Sequence, residues 1–254
     1  MVYFTTFASG SSGNCAFYAD GKTRILIDAG TNAKHISAQL GVLSLKLSDL
    51  THIVITHAHS DHISALDVLG KHTRAQIICS DNTAWHLPFD VQTFAPGQAL
   101  CLGSCAVQTF KTPHDADGSC GYILGEGAAR VACFTDLGCM KDDIFNALCG
   151  VPTVLLESNH DVQMVLSGRY PYFLKRRILS ENGHLSNADC AKTVARLAES
   201  GLRNLILAHL SENNNTPLHA IAENSLALRQ AGAERQVSLS VAPRKQCMQP
   251  LLLG

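Results

Sequence analysis

Three histidines and one aspartate follow an apolar run in the first quarter of the chain. Residues 53–56 have the composition of a buried strand, and His57, His59, Asp61 and His62 come directly after them. α/β folds place ligands at the carboxyl ends of strands. In an extended chain His57 and His59 project to the same side and can hold one ion, while Asp61 and His62 turn into a helix and can face a second. The segment therefore predicts a metal site for Zn, Mn or Fe, because burying four such groups unpaired would be costly.

Composition restricts the class of protein. The chain has 254 residues, of which 46% are hydrophobic and 16% charged, with 19 Gly and 8 Pro. These values exclude a disordered chain, a coiled coil and a collagen-like chain. We find no low-complexity linker and no short-period repeat, so we predict a single domain over residues 1–254. The net charge of −1 gives no overall field that would favour nucleic acid or an anionic membrane.

Cysteine spacing and the amino-terminal segment bear on the cellular compartment. The ten cysteines form no C-x-x-C pair, which argues against zinc-ribbon and thioredoxin-type motifs. The first residues carry no positive charge before Lys22 and no uninterrupted apolar stretch, so they are typical of a strand rather than a signal peptide. No apolar run approaches the roughly 18 residues that span a bilayer. We expect a cytoplasmic protein with reduced thiols and no membrane partner.

Apolar runs, turn residues and helical spacing predict an α/β chain. In both halves of the chain, predicted strands are followed by predicted helices. This order favours a four-layer αββα sandwich, although a doubly wound sheet fits the elements nearly as well. The predicted strands lie at 2–7, 15–19, 24–28, 51–56, 76–79, 106–110, 122–124, 130–135, 154–157 and 205–208. The predicted helices lie at 33–40, 63–69, 188–199 and 218–230.

The H-x-H-x-D-H pattern behind an apolar strand resembles the metal loop of the metallo-β-lactamase fold superfamily, a group of two-metal hydrolases. Four further motifs of that superfamily are present in order along the chain. The residues that match them are Asp28 in Leu-Ile-Asp-Ala-Gly, His114 in Lys-Thr-Pro-His-Asp, Asp136 in Cys-Phe-Thr-Asp-Leu-Gly and His209 in Leu-Ala-His-Leu-Ser. The resemblance implies a four-layer αββα sandwich of the metallo-β-lactamase type over most of the chain.

The same resemblance implies a dinuclear metal centre. Two cations that share one water lower its pKa towards neutrality, which supplies a bridging hydroxide as the nucleophile. Asp28 would orient the metal loop. Zn, Mn and Fe all accept His and Asp donors, so the identity of the metals is left open. The implied ligands are His57, His59 and His114 for one ion, Asp61, His62 and His209 for the other, and Asp136 for both.

Details of the motifs favour one branch of the superfamily. Asp136 in place of Cys disfavours the antibiotic-hydrolysing β-lactamases, and His59 in place of Glu disfavours the flavodiiron oxygen reductases. Segments 9–15, 156–161 and 182–187 resemble the YycJ/WalJ-type branch. That branch is related to metal-dependent nucleases and phosphodiesterases, and 5′-to-3′ DNA exonuclease activity is attributed to it.

His184 stands outside the metal set, in a Gly-His-Leu-Ser turn before a predicted helix. Ser186 or Asn187 can cap that helix, and backbone amides at a helix N-terminus are natural phosphate sites. We predict that His184 contacts the scissile phosphate or protonates the leaving oxygen, with Ser186 and Asn187 binding substrate. A structural capping role is the alternative. Asp61 and His184 are thus the predicted catalytic residues.

Two further segments have open interpretations. Residues 168–177 carry four cations and three aromatic residues. Arg169 and Lys175 can follow a phosphate backbone while the aromatic rings stack on bases. Equally, the segment can be the basic face of an amphipathic helix with its aromatic residues in the core. His160 is either a hydrogen-bonded loop histidine or a residue that supports the metal ligands from behind.

These observations lead to two functions of different classes. The leading prediction is a dinuclear metal-dependent phosphodiesterase, a nuclease acting on DNA. An acyl hydrolase that acts on a thioester, lactone or amide is the alternative, because sibling families use the same seven ligands. A phosphate substrate needs cationic or amide donors, whereas an acyl substrate needs an apolar cleft. A binding module that has lost activity is disfavoured by the complete ligand set.

Overall fold

Strands and helices alternate along the whole chain in the computed structural model, which describes residues 1–89 and 91–254. The strands in these ranges are β1 (Val2–Ala8), β2 (Cys15–Asp20), β3 (Thr23–Ile27), β4 (His52–Val54), β5 (Gln76–Ser80), β6 (Gln92–Phe94), β7 (Ala99–Leu102), β8 (Cys105–Lys111), β9 (Cys120–Leu124), β10 (Val131–Phe134), β11 (Thr153–Glu157), β12 (Asn204–Ala208), β13 (Ser238–Val241) and β14 (Leu251–Leu253). The helices are α1 (Ala33–Val42), α2 (Ser60–Ile63), α3 (Leu66–His72), α4 (Asp81–Ala84), α5 (Asp142–Leu148), α6 (Val162–Ser167), α7 (Tyr172–Ile178), α8 (Asn187–Ala198) and α9 (Pro217–Gln230).

The predicted strands and helices are confirmed, with their ends shifted by a few residues. The strand predicted at 51–56 is the shorter β4, and the helix predicted at 63–69 is divided between α2 and α3. The strands β6, β7, β13 and β14 and the helices α4 to α7 were not predicted from the sequence. These elements are short, so they present too few residues for a periodic apolar pattern. No helix of the described ranges is both long enough and apolar enough to cross a membrane.

The contacts within the chain divide it into two units. The first unit comprises Met1–Lys111, Ala116–Ala129 and Pro243–Gly254. The second comprises Thr112–Asp115 and Arg130–Ala242. The expected single domain over residues 1–254 stays a prediction.

The sheet of the first unit brings the metal loop to one edge. Its strand order is β14-β1-β2-β3-β4-β5-β6. The first four of these strands pair antiparallel, and β3 to β6 pair parallel. Because β3 and β4 run in the same direction, Asp28 and the segment 55–62 leave the sheet at the same edge. This is the carboxyl edge, where α/β folds place ligands.

An apolar core covers this sheet. Phe7 and Phe17 stack with ring centroids 5.6 Å apart, and Ile36 and Leu40 of α1 and Leu69 of α3 belong to the same buried cluster. A second, antiparallel group of strands in this unit runs β7-β8-β9. The helix α1 starts at Asn32, whose side chain accepts a hydrogen bond from a backbone amide of the first turn.

The second unit is built on parallel strands. β10, β11, β12 and β13 pair in that order, all parallel. β10 and β11 are buried along their whole length, as is typical of strands in a parallel sheet. α8 packs against α9, and α9 packs against β13. Asp136, Glu157 and His209 stand at or just beyond the carboxyl ends of β10, β11 and β12.

The cysteines serve mainly as small apolar side chains. All ten are thiols, and Cys15, Cys79, Cys105, Cys120, Cys133 and Cys190 are buried. Burial raises the pKa of the Cys79 and Cys120 thiols to about 12. Burial raises the pKa of the Cys105 thiol to about 11.

Three loops of the first unit meet through their backbones at Gly30. Asn14 N donates to Asp61 O at 2.8 Å, and Gly30 N donates to Asn14 O at 2.9 Å. Ala29 N donates to His62 O at 2.8 Å. A Cβ atom at Gly30 would lie 1.6 Å from Asp61 O. Only glycine therefore fits, and this contact fixes the backbone that carries Asp61 and His62.

We expect Gly30→Ala to lower the free energy of unfolding by about 2 kcal/mol or more, because the added methyl group must displace backbone. Gly41→Ala is the matched control, since Gly41 lies in α1 and a Cβ there would meet nothing within 4 Å. That substitution should raise the free energy by about 0.5–1 kcal/mol through better helix propensity. Urea denaturation followed by circular dichroism measures both, and a Gly30→Ala midpoint equal to that of the wild type would contradict the expectation.

Candidate metal centre

The four side chains of the H-x-H-x-D-H segment converge in the first unit. His57 and His62 are fully buried, and their ring centroids lie 4.1 Å apart. His57 Nε2 lies 3.0 Å from His59 Nδ1. Asp61 Oδ2 lies 3.7 Å from His62 Nε2. The structure thus brings His57 close to His59, as strand alternation predicted, and Asp61 close to His62 at the start of α2.

Asp28 fixes the orientation of two of these imidazoles. Its carboxylate accepts hydrogen bonds from Thr56 N at 2.8 Å, from Thr56 Oγ1 at 2.9 Å and from His62 Nδ1 at 2.7 Å. Because the Thr56 hydroxyl donates to Asp28, it can accept from His57 Nδ1 at 3.0 Å. Both rings then carry their proton on Nδ1 and present Nε2 as the donor atom to a metal.

Asn14 is a further member of this cluster, and it lies in the segment 9–15, for which the sequence predicts no role in the site. Its side-chain amide donates to His62 Nε2 at 3.0 Å and lies 3.5 Å from Asp61 Oδ2. Its carbonyl oxygen accepts from Gly10 N at 2.9 Å. The signal that could have found it is the Ser/Gly loop before Asn14, which is too irregular for secondary structure and returns to the metal loop.

A second set of donors converges in the second unit. One donor atom from each of Asp136, Glu157, His184 and His209 lies within 4.8 Å of the others. Asp136 Oδ1 lies 3.4 Å from His209 Nδ1 and 3.7 Å from His184 Nδ1. The same oxygen lies 3.7 Å from His114 Nε2. The predicted ligands of this unit are therefore gathered around one carboxylate.

Three residues of the two donor clusters and their supporting carboxylates have backbone conformations in the left-handed region. The φ angles of Asp28, Asp136 and His209 are 60°, 54° and 55°. Each residue follows the end of a strand by one or two positions. A non-glycine residue in this region costs of order 1–3 kcal/mol, and such costs concentrate at functional sites. The backbone turn at these three positions changes the direction of the Asp28, Asp136 and His209 side chains from the one that continued strand alternation would give.

Glu157 is the functional residue that the sequence reading missed. It is fully buried, and its Oε1 accepts hydrogen bonds from His184 Nδ1 at 2.9 Å and His209 Nδ1 at 2.7 Å. Its Oε2 accepts from the backbone amides of Leu137 at 2.8 Å and Leu185 at 3.0 Å. Both histidines therefore carry a proton on Nδ1, the nitrogen that faces Glu157. The available signal was a single carboxylate at the end of an otherwise apolar strand.

The histidines of this unit differ in their preferred protonation state. Burial acts to lower the pKa of His184, but the charge and hydrogen bond of Glu157 outweigh burial and raise it. Burial lowers the pKa of His114 despite the nearby Asp136. Burial acts to raise the pKa of Glu157, but its contacts with His184 and His209 outweigh burial and lower it. The neutral form of His114 suits a metal ligand.

Ser186 and Asn187 are engaged within the protein. Ser186 caps α8 by accepting a hydrogen bond from Asp189 N at 3.1 Å. Asn187 is fully buried, and its Oδ1 accepts from Ser158 Oγ at 2.7 Å and from Asn215 Nδ2 at 2.9 Å. The substrate contact predicted for Ser186 and Asn187 stays a prediction. The geometry accounts directly for a capping role of Ser186.

His160 lies in the same buried network. Its Nδ1 is 3.3 Å from Asn159 Oδ1, and the amide of Asn159 donates to His209 O at 2.7 Å. Nε2 of His160 is buried, with no hydrogen-bond partner among the described residues. Burial lowers the pKa of His160 to about 4. Its predicted support of the ligands stays a prediction, with Asn159 as the link to His209.

The basic segment forms α7 and the turn before it. Arg169 is exposed. Lys175 Nζ donates to Leu166 O at 2.6 Å, and Arg177 forms an ion pair with Asp115, the neighbour of His114. The segment therefore lies in the same unit as the second donor set and is linked to it through Arg177.

We expect Glu157→Gln to weaken divalent metal binding by about 10- to 100-fold, because the amide NH2 group cannot accept the hydrogen bonds that one carboxylate oxygen accepts now. Glu199→Gln is the control, since Glu199 is an exposed carboxylate. Metal content after dialysis and titration calorimetry measure the effect. Wild-type metal affinity in Glu157→Gln would contradict the assigned role.

The low pKa of His160 predicts a loss of stability in mild acid. Between pH 6.5 and about pH 4 the unfolded chain binds a proton at this position and the folded chain does not, so the free energy of unfolding falls as the pH falls through this window. The full contribution is about 3 kcal/mol. His160→Gln should lose about that much less stability than the wild type between pH 7 and pH 4. Denaturant titrations across this range check it, and parallel curves for the two proteins would contradict it.

Comparison with known proteins agrees with these motifs. A family model described as "Beta-lactamase superfamily domain" matches residues 23–210. The chain is 33% identical over 240 residues to exodeoxyribonuclease YycJ of Bacillus anthracis, covering 91% of this chain and 90% of the relative. It is 32% identical over 242 residues to exodeoxyribonuclease WalJ of Streptococcus pneumoniae, covering 90% of each.

A solved structure confirms the predicted fold class. The metallo-β-lactamase fold protein YhfI of Bacillus subtilis matches with a TM-score of 0.67 and 18% identity, over 98% of this chain and all of the other. The α/β sandwich of the metallo-β-lactamase type is therefore the observed fold. Its His and Asp donor clusters suit a divalent metal. The chain belongs to the β-lactamase superfamily, in the branch that contains the exodeoxyribonucleases YycJ and WalJ.

Proposed function

We propose that this chain is a divalent-metal-dependent phosphodiesterase that acts as a DNA exonuclease. The observation that carries the proposal is the set of imidazoles whose Nδ1 atoms are tied to Asp28 and Glu157, which makes Nε2 the nitrogen of each ring that suits a metal or a substrate. Similarity to two exodeoxyribonucleases over 90–91% of this chain supports the choice of a phosphodiester over an acyl substrate.

The proposal assigns a ligand set that combines both donor clusters. Two divalent ions, Zn, Mn or Fe, would when bound activate a water and neutralise the charge of the phosphate. Membership of the superfamily and the chemistry of the donors support the assignment. The ligands are His57, His59 and His114 for one ion, Asp61, His62 and His209 for the other, and Asp136 for both.

The remaining residues of the proposed site bind the DNA substrate or protonate the leaving oxygen. His184 is bonded through Nδ1 to Glu157, so its Nε2 is the atom that contacts the scissile phosphate or donates a proton to the leaving oxygen. Arg169 and Lys175 provide positive charge for the substrate backbone. Ser186 and Asn187 complete the proposed contacts at the start of α8. The protein would work in the cytoplasm, without a membrane partner.

We expect the purified protein, supplied with Mn or Zn, to hydrolyse bis-p-nitrophenyl phosphate and end-labelled DNA, and to lose this turnover in excess chelator. A panel of an ester, a thioester and a lactone runs in parallel. Turnover of the acyl panel alone would contradict the phosphodiesterase and support the acyl hydrolase.

His184→Ala and His184→Gln should lower kcat on the phosphodiester by roughly 100-fold or more while metal content stays at the wild-type level, because the lost group acts on substrate and not on metal. His219→Ala is the matched control, since His219 is an exposed histidine of α9. Full turnover in a metal-replete His184 variant would exclude the assigned role.

A further inference from the structure

The segment 162–180 concentrates positive charge. It carries four cations and no carboxylate, in a chain whose net charge is −1. Lys175 joins α7 to α6 through its bond to Leu166 O, and Arg177 is paired with Asp115. Arg169 and Arg176 are exposed. A polyanion could therefore be attracted to this surface locally, although the chain as a whole exerts no such field.

Two aromatic rings are exposed beside these cations. Tyr172 is 76% exposed and Phe173 is 73% exposed, and α7 contributes no buried residue. The interpretation of Tyr172 and Phe173 as core residues is therefore wrong, because both rings are exposed. We call Tyr172 and Phe173 the aromatic platform. The Arg176 guanidinium lies 6.0 Å from the centroid of the Tyr172 ring, which is within range of a cation–π contact.

The helix α7 connects the aromatic platform to His184. His184 N donates to Ile178 O at 3.1 Å, at the carboxyl end of α7. An α-helix rises about 1.5 Å per residue, so the six steps from Ile178 back to Tyr172 span about 9 Å. Successive phosphates of a stacked strand advance by about 3.4 Å. Tyr172 therefore lies about 9 Å along α7 from the residue that bonds the His184 backbone, a length that about three stacked nucleotides span.

We propose that the aromatic platform stacks against unpaired bases and makes this protein bind the single-stranded end of its DNA substrate. Base stacking on aromatic rings beside a positively charged surface is the chemistry of single-strand binding. In a duplex, internal bases are already stacked and paired, so they cannot use the platform. Self-association through this face is opposed because two copies would bring their Arg169 and Arg176 charges together. The inference rests on the proposed function and specifies its substrate.

The test compares the hydrolysis of a short single strand with that of bis-p-nitrophenyl phosphate by the metal-loaded enzyme. Tyr172→Ala combined with Phe173→Ala should raise KM for the strand by roughly tenfold or more and leave turnover of the small phosphodiester unchanged. Tyr172→Trp combined with Phe173→Trp should keep KM near the wild-type value. Trp85→Ala is the matched control, because Trp85 is an exposed ring of the first unit, 87% exposed.

Abasic nucleotides separate stacking from any other effect of the substitutions. For the wild type, KM for a strand that lacks its second to fourth bases from each end should exceed KM for the intact strand. The factor should equal the one by which the double alanine substitution raises KM for the intact strand. For the double alanine variant, KM should be the same for the abasic strand and the intact strand, because the stacking interaction has already been removed. Anisotropy of a labelled strand makes the same comparison as direct binding.

The outcomes distinguish this inference from the proposed function. An unchanged affinity of the double alanine variant for single strands, or an equal abasic effect in both proteins, would overturn the platform. Sedimentation of the wild type as a dimer, together with a monomeric double alanine variant that binds DNA normally, would also overturn the inference. The aromatic platform would then be a contact between two copies of this chain. A wild type that hydrolyses no phosphodiester would contradict the proposed function, and the anisotropy comparison would still decide about the platform.

Discussion

Two buried carboxylates set the direction of the imidazoles on which this protein depends. Asp28 holds His62 directly and His57 through the Thr56 hydroxyl, and Glu157 holds His184 and His209 in the second unit. A carboxylate without water stays ionised only while such hydrogen bonds are made. The imidazoles and the two carboxylates therefore stabilise one another. Either group alone would carry the free-energy cost of an unpaired polar group at an apolar sheet edge.

The same edges carry backbone that is held away from its preferred conformation. Asp28, Asp136 and His209 stand in the left-handed region one or two positions beyond strands whose last three residues are buried and apolar. Such geometry persists only when its surroundings over-determine it. In the first unit Gly30 provides this support, because its lack of a side chain lets three loops bond to each other through backbone atoms. The rigidity of the strands is thus transmitted to side chains that lie outside them.

The sequence predicts the parts of the site that depend on local order. His57 and His59 could be placed together because alternation in an extended chain is a local rule. The role of Glu157 could not be predicted, since its partners lie 27 and 52 positions along the chain and a lone carboxylate carries no pattern. The exposure of Tyr172 was equally hidden, because aromatic composition is the same in a core helix and in a surface one. What the sequence leaves out is contact between distant segments.

The burial of the cysteines has a consequence for a protein that uses metal. A thiolate binds soft metals and reacts with oxidants, whereas a protonated thiol does neither efficiently. The raised pKa values of Cys79, Cys105 and Cys120 keep these side chains protonated at neutral pH. These three buried thiols therefore compete weakly with imidazole and carboxylate donors for a divalent metal.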